Sequence, residues 1–175
     1  MSRILLICGS LRAASSNRVL LDAAAALAPP TWQTRYLDVL ATLPHFNPDE
    51  DGVDVPQPVR TLREAAAWAQ GFLISTPEYA HGLPGSLKNA LDWLVSGMEV
   101  YEKPAVLLNA TEHSTHAQAS LREILSTMSV RQAGGAWVTV PLNGRKLGVA
   151  DVLADAALSG ALRQAVDALE EGLRS

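Results

Sequence analysis

Between an apolar run that ends at Cys8 and a stretch compatible with a helix lies Gly9-Ser10-Leu11-Arg12-Ala13-Ala14-Ser15-Ser16-Asn17-Arg18. A loop that opens a helix presents unpaired backbone N–H groups and the positive end of the macrodipole, and both favour a bound anion. Ser10, Ser15, Ser16 and Asn17 add short polar donors, and Arg12 adds a charge-assisted one. Such a set suits a phosphate monoester, whose three terminal oxygens need many donors. Helix capping by Ser15, Ser16 or Asn17 accounts for one of these residues but not for the group. The glycine spacing of a dinucleotide fingerprint is absent after Gly9, and no Gly-Lys-Ser/Thr follows, so two common nucleotide folds lose their motif.

A second loop reads Ser75-Thr76-Pro77-Glu78-Tyr79-Ala80-His81-Gly82-Leu83-Pro84-Gly85 and runs into Ser86-Leu87-Lys88-Asn89-Ala90-Leu91-Asp92-Trp93. Pro77, Pro84 and two glycines fix its shape, and Pro84 suits the first turn of a helix, where a missing N–H costs nothing. Tyr79 beside exposed amides can hold the edge of a planar heterocycle. Glu78 is either a general acid or base or a brace for the loop. A third polar loop reads Asn109-Ala110-Thr111-Glu112-His113-Ser114-Thr115-His116-Ala117-Gln118. His113, His116 and His81 lack a standard zinc spacing, so no metal site is expected. The chain has no Gly-x-Ser-x-Gly elbow, which argues against a serine hydrolase. Cys8, the sole cysteine, is expected to be an unreactive core thiol.

The elements that must position these loops alternate in type. Apolar runs at residues 4–8, 33–39, 71–76, 105–110 and 137–140 read as five strands buried in a parallel sheet. Helical patterns at 17–27, 59–69, 84–96, 117–128 and 151–173 separate and follow them, rich in alanine. Parallel neighbours need crossovers, so the expected class is α/β, a three-layer, doubly wound sheet of five parallel strands. Ligands of such sheets bind beyond the carboxyl ends of the strands, which points to the loops after the first, third and fourth. The proline-rich stretch 44–58 reads as a surface excursion.

The chain has 175 residues, 48% of them hydrophobic and 18% charged. With roughly 150 residues to a typical domain, one domain over 1–175 is expected, with ample material for a core. A net charge of −4 argues against nucleic acid as a partner. The first apolar run is too short for a signal peptide or a membrane span, and a lone cysteine rules out an intrachain disulfide, so a cytoplasmic protein without membrane contact is expected.

The loops together resemble those of the NAD(P)H-dependent FMN reductases, a flavodoxin-like family that includes quinone, azo-dye and chromate reductases. Gly9-Ser10-Leu11-Arg12 with Ser15 and Asn17 carries part of the resemblance. Thr76-Pro77-Glu78-Tyr79, Pro84-Gly85 and Leu87-Lys88-Asn89-Ala90-Leu91-Asp92-Trp93 carry the more specific part. The resemblance implies strand order 2-1-3-4-5 and noncovalent FMN, with Ser10, Arg12, Ser15, Ser16 and Asn17 at its phosphate. It also implies that Pro77, Glu78 and Tyr79 hold the isoalloxazine and ribityl region. Ala80 stands where this family commonly has Asn, followed by His81, and the usual glycine-rich third loop is replaced, so Thr111, Ser114 and His116 are expected near the flavin ring. Trp93 and Met98 fall where the family packs a dimer interface, and a plain core role for Trp93 is the alternative.

The resemblance implies an oxidoreductase that passes hydride from NADPH or NADH through FMN to flavin, quinone or a similar small-molecule acceptor by a ping-pong cycle. The flavin carries the chemistry and no side chain is expected to be catalytic. A homodimer, or a homotetramer by further pairing, is expected. The alternative from another class is a flavodoxin-like electron carrier or redox-sensing module without nicotinamide turnover.

Overall fold

The structure, a computed structural model, describes residues 1–135 and 137–175. Five parallel strands form the body of the sheet: β1 (Ser2–Cys8), β2 (Trp32–Tyr36), β3 (Gly71–Ser75), β4 (Pro104–Asn109) and β5 (Arg131–Gln132), in the order β2-β1-β3-β4-β5. This is the expected 2-1-3-4-5 arrangement. A sixth short strand, β6 (Val138–Thr139), also pairs with β4. Among the described residues six α-helices accompany the sheet: α1 (Ser16–Leu27), α2 (Gln57–Trp68), α3 (Gly85–Leu94), α4 (Thr115–Thr127), α5 (Val149–Ala154) and α6 (Ala156–Arg174).

Period-two alternation along β1, β3 and β4 divides their side chains between two cores, and apolar residues on both faces explain why each strand reads as a continuous hydrophobic run. Leu5, Ile7, Phe72, Ile74, Ala105 and Leu107 pack against the buried stripes of α2, α3 and α4. Ile4, Leu6, Cys8, Leu73, Val106 and Leu108 pack against α1, α5 and α6. The sheet therefore lies between two helical layers.

Three sequence expectations need correction. The fifth strand is split: β5 pairs with the start of β4 at Pro104 and Ala105, while β6 pairs with its end at Leu108 and Asn109. The intervening segment contains Gly134 and Gly135 at φ of +73° and +85°, which carry the chain out of strand geometry. Only the second segment has the apolar character of a buried strand. The closing helix is also split, because Asp155 Oδ1 accepts from the N–H groups of Ala157 (3.0 Å) and Leu158 (3.1 Å) and so starts α6 anew. The second strand ends at Tyr36, three residues before the apolar pattern does, and its extension forms a loop.

The proline-rich excursion is pinned to α3 by residues of the long sequence motif. Asn89 Oδ1 accepts from Phe46 N and its Nδ2 donates to Pro44 O, both at 2.8 Å. Trp93 Nε1 also donates to Pro44 O, and its ring, fully buried, meets Phe46 edge to face at 5.0 Å. The core role for Trp93 is thus the correct one of the two. Arg63 of α2 completes the clamp, bonding Asp51 at 2.6 Å and the Trp93 carbonyl. The Asp51 carboxyl is held below its usual range by hydrogen bonding, first to Ser96 and then to Arg63.

Asn89→Ala leaves the Phe46 N–H without its acceptor, so it is expected to lower stability by about 1–3 kcal/mol. A urea midpoint equal to that of the parent protein contradicts this account of the motif.

Candidate functional site

Strand order reverses between β1 and β3, and their carboxyl ends approach closely: Gly9 N donates to Ser75 O at 2.8 Å. A Cβ on Gly9 would lie 2.3 Å from Thr76 Oγ1, so only glycine permits this approach. The chain then turns through residues 10–15 into α1. Ser15 occupies the N-cap with no side-chain hydrogen bond to the helix, and the first turn holds no acid. The leading N–H groups of α1 thus keep their capacity for an anion.

Asn17 turns inward. The fully buried Ser75 hydroxyl lies within hydrogen-bonding distance of Asn17 Oδ1 (2.8 Å) and Leu108 O (3.1 Å), joining α1, β3 and β4 at their site-facing ends. On the next loop, Glu78 Oε2 accepts from Ala117 N at 2.9 Å, so a carboxylate from the β3–α3 loop caps α4. Of the two roles open to Glu78, the brace is the one seen in its contacts. Beyond it, Tyr79 and Gly82 exchange reciprocal backbone hydrogen bonds of 3.0 Å around Ala80 and His81, whose φ angles are +49° and +57°. The His81 ring stacks on His116 of α4, with centroids 4.4 Å apart and planes 8° from parallel.

The β4–α4 loop is held from within. Asn109 Nδ2 donates to Ser114 O at 3.2 Å, and Thr111 Oγ1 accepts from His113 N at 3.3 Å. The buried Ser114 hydroxyl and the Gln118 amide have no protein partner among the described residues. Asn17, Thr76, Pro77, Glu78, Asn109, Ala110, Thr111, His113 and Ser114 enclose a cleft of about 330 Å³.

A second cleft of about 460 Å³ lies on the other side of the β1–α1 loop, against the segment after β2. Ser10, Leu11 and Arg12 form one wall and Tyr36, Leu37, Asp38, Leu40 and Ala41 the other, with Cys8 and Arg18 between. The Arg18 guanidinium lies 3.2 Å from the centre of the Tyr36 ring, while Tyr36 Oη donates to Asp22 at 2.8 Å. Burial and that hydrogen bond push the Tyr36 hydroxyl far above its usual range. Burial likewise raises the Cys8 thiol, whose Sγ donates to Ser10 O.

The residues expected from sequence are therefore distributed. Asn17, Pro77, Glu78, Thr111 and Ser114 line the first cleft, and Ser10 and Arg12 line the second. Ser15 is buried, whereas Ser16, Tyr79, Ala80, His81 and His116 are exposed on the surrounding loops and helix ends. Sequence reasoning passed over Thr76, Asn109, Ala110 and His113 as lining residues, although their place at strand ends marks them. It also passed over the loop after β2, where Asp38 stood inside an apparently continuous strand.

Residues 2–143 match the family described as NADPH-dependent FMN reductase. The chain belongs to that family. It is 35% identical to an NAD(P)H-dependent FMN reductase of Pseudomonas aeruginosa over 133 residues, 73% of this chain and 71% of that one. A 2-hydroxy-1,4-benzoquinone reductase of Burkholderia sp is 43% identical over 91 residues, 52% of this chain, and the match spans only 49% of that relative. Among solved structures, the flavoenzyme NAD(P)H:(acceptor) oxidoreductase FerB from Paracoccus denitrificans superimposes with a TM-score of 0.74. It is 25% identical, with 98% of this chain and 99% of that chain covered.

FMN is the cofactor of this family, and the residues present fit it. The unacidic, uncapped start of α1 leaves amides for a phosphate, and the cleft by the ends of β3 and β4 is lined by Ser114, whose buried hydroxyl has no protein partner among the described residues. No helix among the described residues is long and apolar enough to cross a membrane.

Two measurements check these local assignments. Alanine at the left-handed φ of position 80 carries a cost of about 1 kcal/mol that Asn or Gly avoids. Ala80→Gly and Ala80→Asn are therefore expected to raise stability by about that amount in urea titrations. Raised by burial, Cys8 is expected to react with a disulfide reagent at pH 8 about tenfold or more slowly in the native protein than in denaturant. Equal rates contradict its placement.

Proposed function

We propose that residues 1–175 form one FMN-binding domain that oxidises NADH or NADPH and reduces a quinone, a flavin or a similar small acceptor in a ping-pong cycle. The observation that carries the reading is the uncapped start of α1 beside a cleft with an unpartnered buried hydroxyl, in a chain of this family. FMN, when bound, supplies a two-electron acceptor that takes hydride from the nicotinamide and returns it, with a solvent proton, to the acceptor.

The chain's own groups bind and orient. Leading amides of α1 hold the phosphate dianion, and Arg12, which forms no ion pair among the described residues, supplies the matching charge. Thr111 presents a hydroxyl to a ring placed in the first cleft, Ser114 lines it, and Pro77 with Glu78 walls its other side. Fixed dipoles of this kind stabilise negative charge developing on the ring without any titrating side chain. The cleft is open at its mouth, so quinones, azo compounds and metal oxyanions are all acceptors of suitable size.

We further place the protein in the cytoplasm as a homodimer. Support for the dimer is the exposed apolar group Val95, Met98 and Tyr101 just beyond α3. No acid stands among the first eighteen residues while Arg3, Arg12 and Arg18 do, which supports a local site for one phosphate in an acidic chain.

A yellow protein that turns over a nicotinamide when a quinone is supplied is the expected outcome. A yellow protein inert to both nicotinamides instead marks an electron carrier. Arg12→Ala is expected to weaken FMN binding about tenfold while leaving riboflavin, which lacks the phosphate, unaffected. Unchanged FMN affinity removes Arg12 from the phosphate site.

A further inference from the structure

The cleft between the β1–α1 loop and the segment after β2 has no part in holding the flavin ring, yet it is the larger of the two. Its volume of about 460 Å³ falls within the range of small-ligand sites. Its lining combines three kinds of surface. Leu37 and Leu40 form an apolar floor, and Leu11 stands at the loop with 59% of its surface exposed, a position that no packing requirement in the chain explains. Tyr36 offers an aromatic wall whose ring is fixed by Arg18 over it and by the bond from its hydroxyl to Asp22. Asp38 stands where β2 gives out, its side chain 78% exposed and with a single cationic neighbour, Arg18, at 3.8 Å.

A planar base between aliphatic and aromatic walls, with a carboxylate at the rim to accept from sugar hydroxyls, is the chemistry of a nucleoside. In dinucleotide-binding sheets that carry the glycine fingerprint, an acid about 20 residues further on accepts from a ribose 2′-hydroxyl. The absence of a glycine fingerprint shows only that a dinucleotide pyrophosphate is not gripped at the start of α1. The first turn of α1 stands between the two clefts, with Asn17 lining one and Arg18 the other, so a ligand with two planar ends and a flexible link can place one end in each.

We propose that this second cleft binds the adenosine half of the nicotinamide co-substrate, with Asp38 accepting from its ribose, and that Asp38 makes NADH the preferred donor. The inference rests on the reductase reading. A 2′-phosphate would meet the Asp38 carboxylate as a like charge, while of the two arginines lining the cleft Arg18 is already shared between Asp22 at 3.6 Å and Asp38, and Arg12 is taken up by the FMN phosphate in the reading above. The acid therefore admits the hydroxyl and repels the phosphate.

The test uses FMN-loaded protein and begins with binding alone. In calorimetry, 5′-AMP is expected to bind about tenfold more tightly than adenosine 2′,5′-bisphosphate, and Asp38→Asn is expected to abolish that difference. In turnover, 5′-AMP is expected to compete with NADH but not with 1-benzyl-1,4-dihydronicotinamide, a hydride donor that lacks the adenosine half. Asp38→Asn is expected to shift the ratio of kcat/KM for NADPH over NADH upward about tenfold, through KM, without altering turnover of the truncated donor. Failure of 5′-AMP to bind, or binding indifferent to both the 2′-phosphate and Asp38→Asn, overturns the proposal. If neither NADH nor the truncated donor bleaches the yellow colour, the reductase reading falls, and calorimetry still decides whether the cleft is a nucleoside site.

Discussion

Everything at the carboxyl edge of the sheet hangs on one buried hydroxyl, that of Ser75. Its distances to Asn17 Oδ1 and to Leu108 O join the first turn of α1 to the end of β4 through the end of β3. Those three elements carry the leading amides of α1, residues of the first cleft and the third loop. A buried polar node of this kind is costly unless satisfied, and once satisfied it fixes geometry more sharply than apolar packing, which tolerates sliding. Gly9, pressed against Thr76 one residue further on, shows how little slack the arrangement leaves.

From that node the loops are secured by borrowed caps. Glu78 leaves its own loop to cap α4, and Asn89 and Trp93 leave α3 to hold the backbone at Pro44 and Phe46. Each of these bonds spans about thirty residues or more of sequence, so each ties separate loops into one rigid rim. Rigid surroundings matter for flavin chemistry because the protein's contribution is placement: the reacting atoms must be held near contact distance and the developing charge must meet dipoles already in position.

How much of this was legible depends on whether a contact is local. β1, β3 and β4 stand out as apolar runs because both their faces are buried, and their order followed from the family resemblance. The fifth strand was half visible, since Arg131 and Gln132 pair through their backbones and carry no hydrophobic pattern. Asp155 could have been read as a cap, but the alanine-rich helix around it masked the signal. The polar residues of the first loop were recognised as a group, yet their division between two clefts was not, because a loop has no periodicity from which to read direction. Asp38 was concealed by the apolar residues on either side of it, which extended a strand pattern past the point where the sheet ends. Asn89 and Glu78 were singled out as motif members, but their partners, Phe46 and Ala117, lie 43 and 39 residues away and no spacing rule connects them.

The turn at Ala80 and His81 shows how these tertiary bonds override local preference. Two consecutive non-glycine residues at positive φ are intrinsically unfavourable, most plainly for alanine, which has no side-chain group to bond locally. The conformation persists because Tyr79 and Gly82 bond each other on both backbone edges and because His81 is stacked on α4 through His116. The strain is confined to a segment flanked by Glu78, whose carboxylate also grips α4. A loop held at both ends to the same helix cannot relax without breaking the cap. The departure from asparagine at position 80 therefore costs stability while leaving the shape of the cleft wall intact.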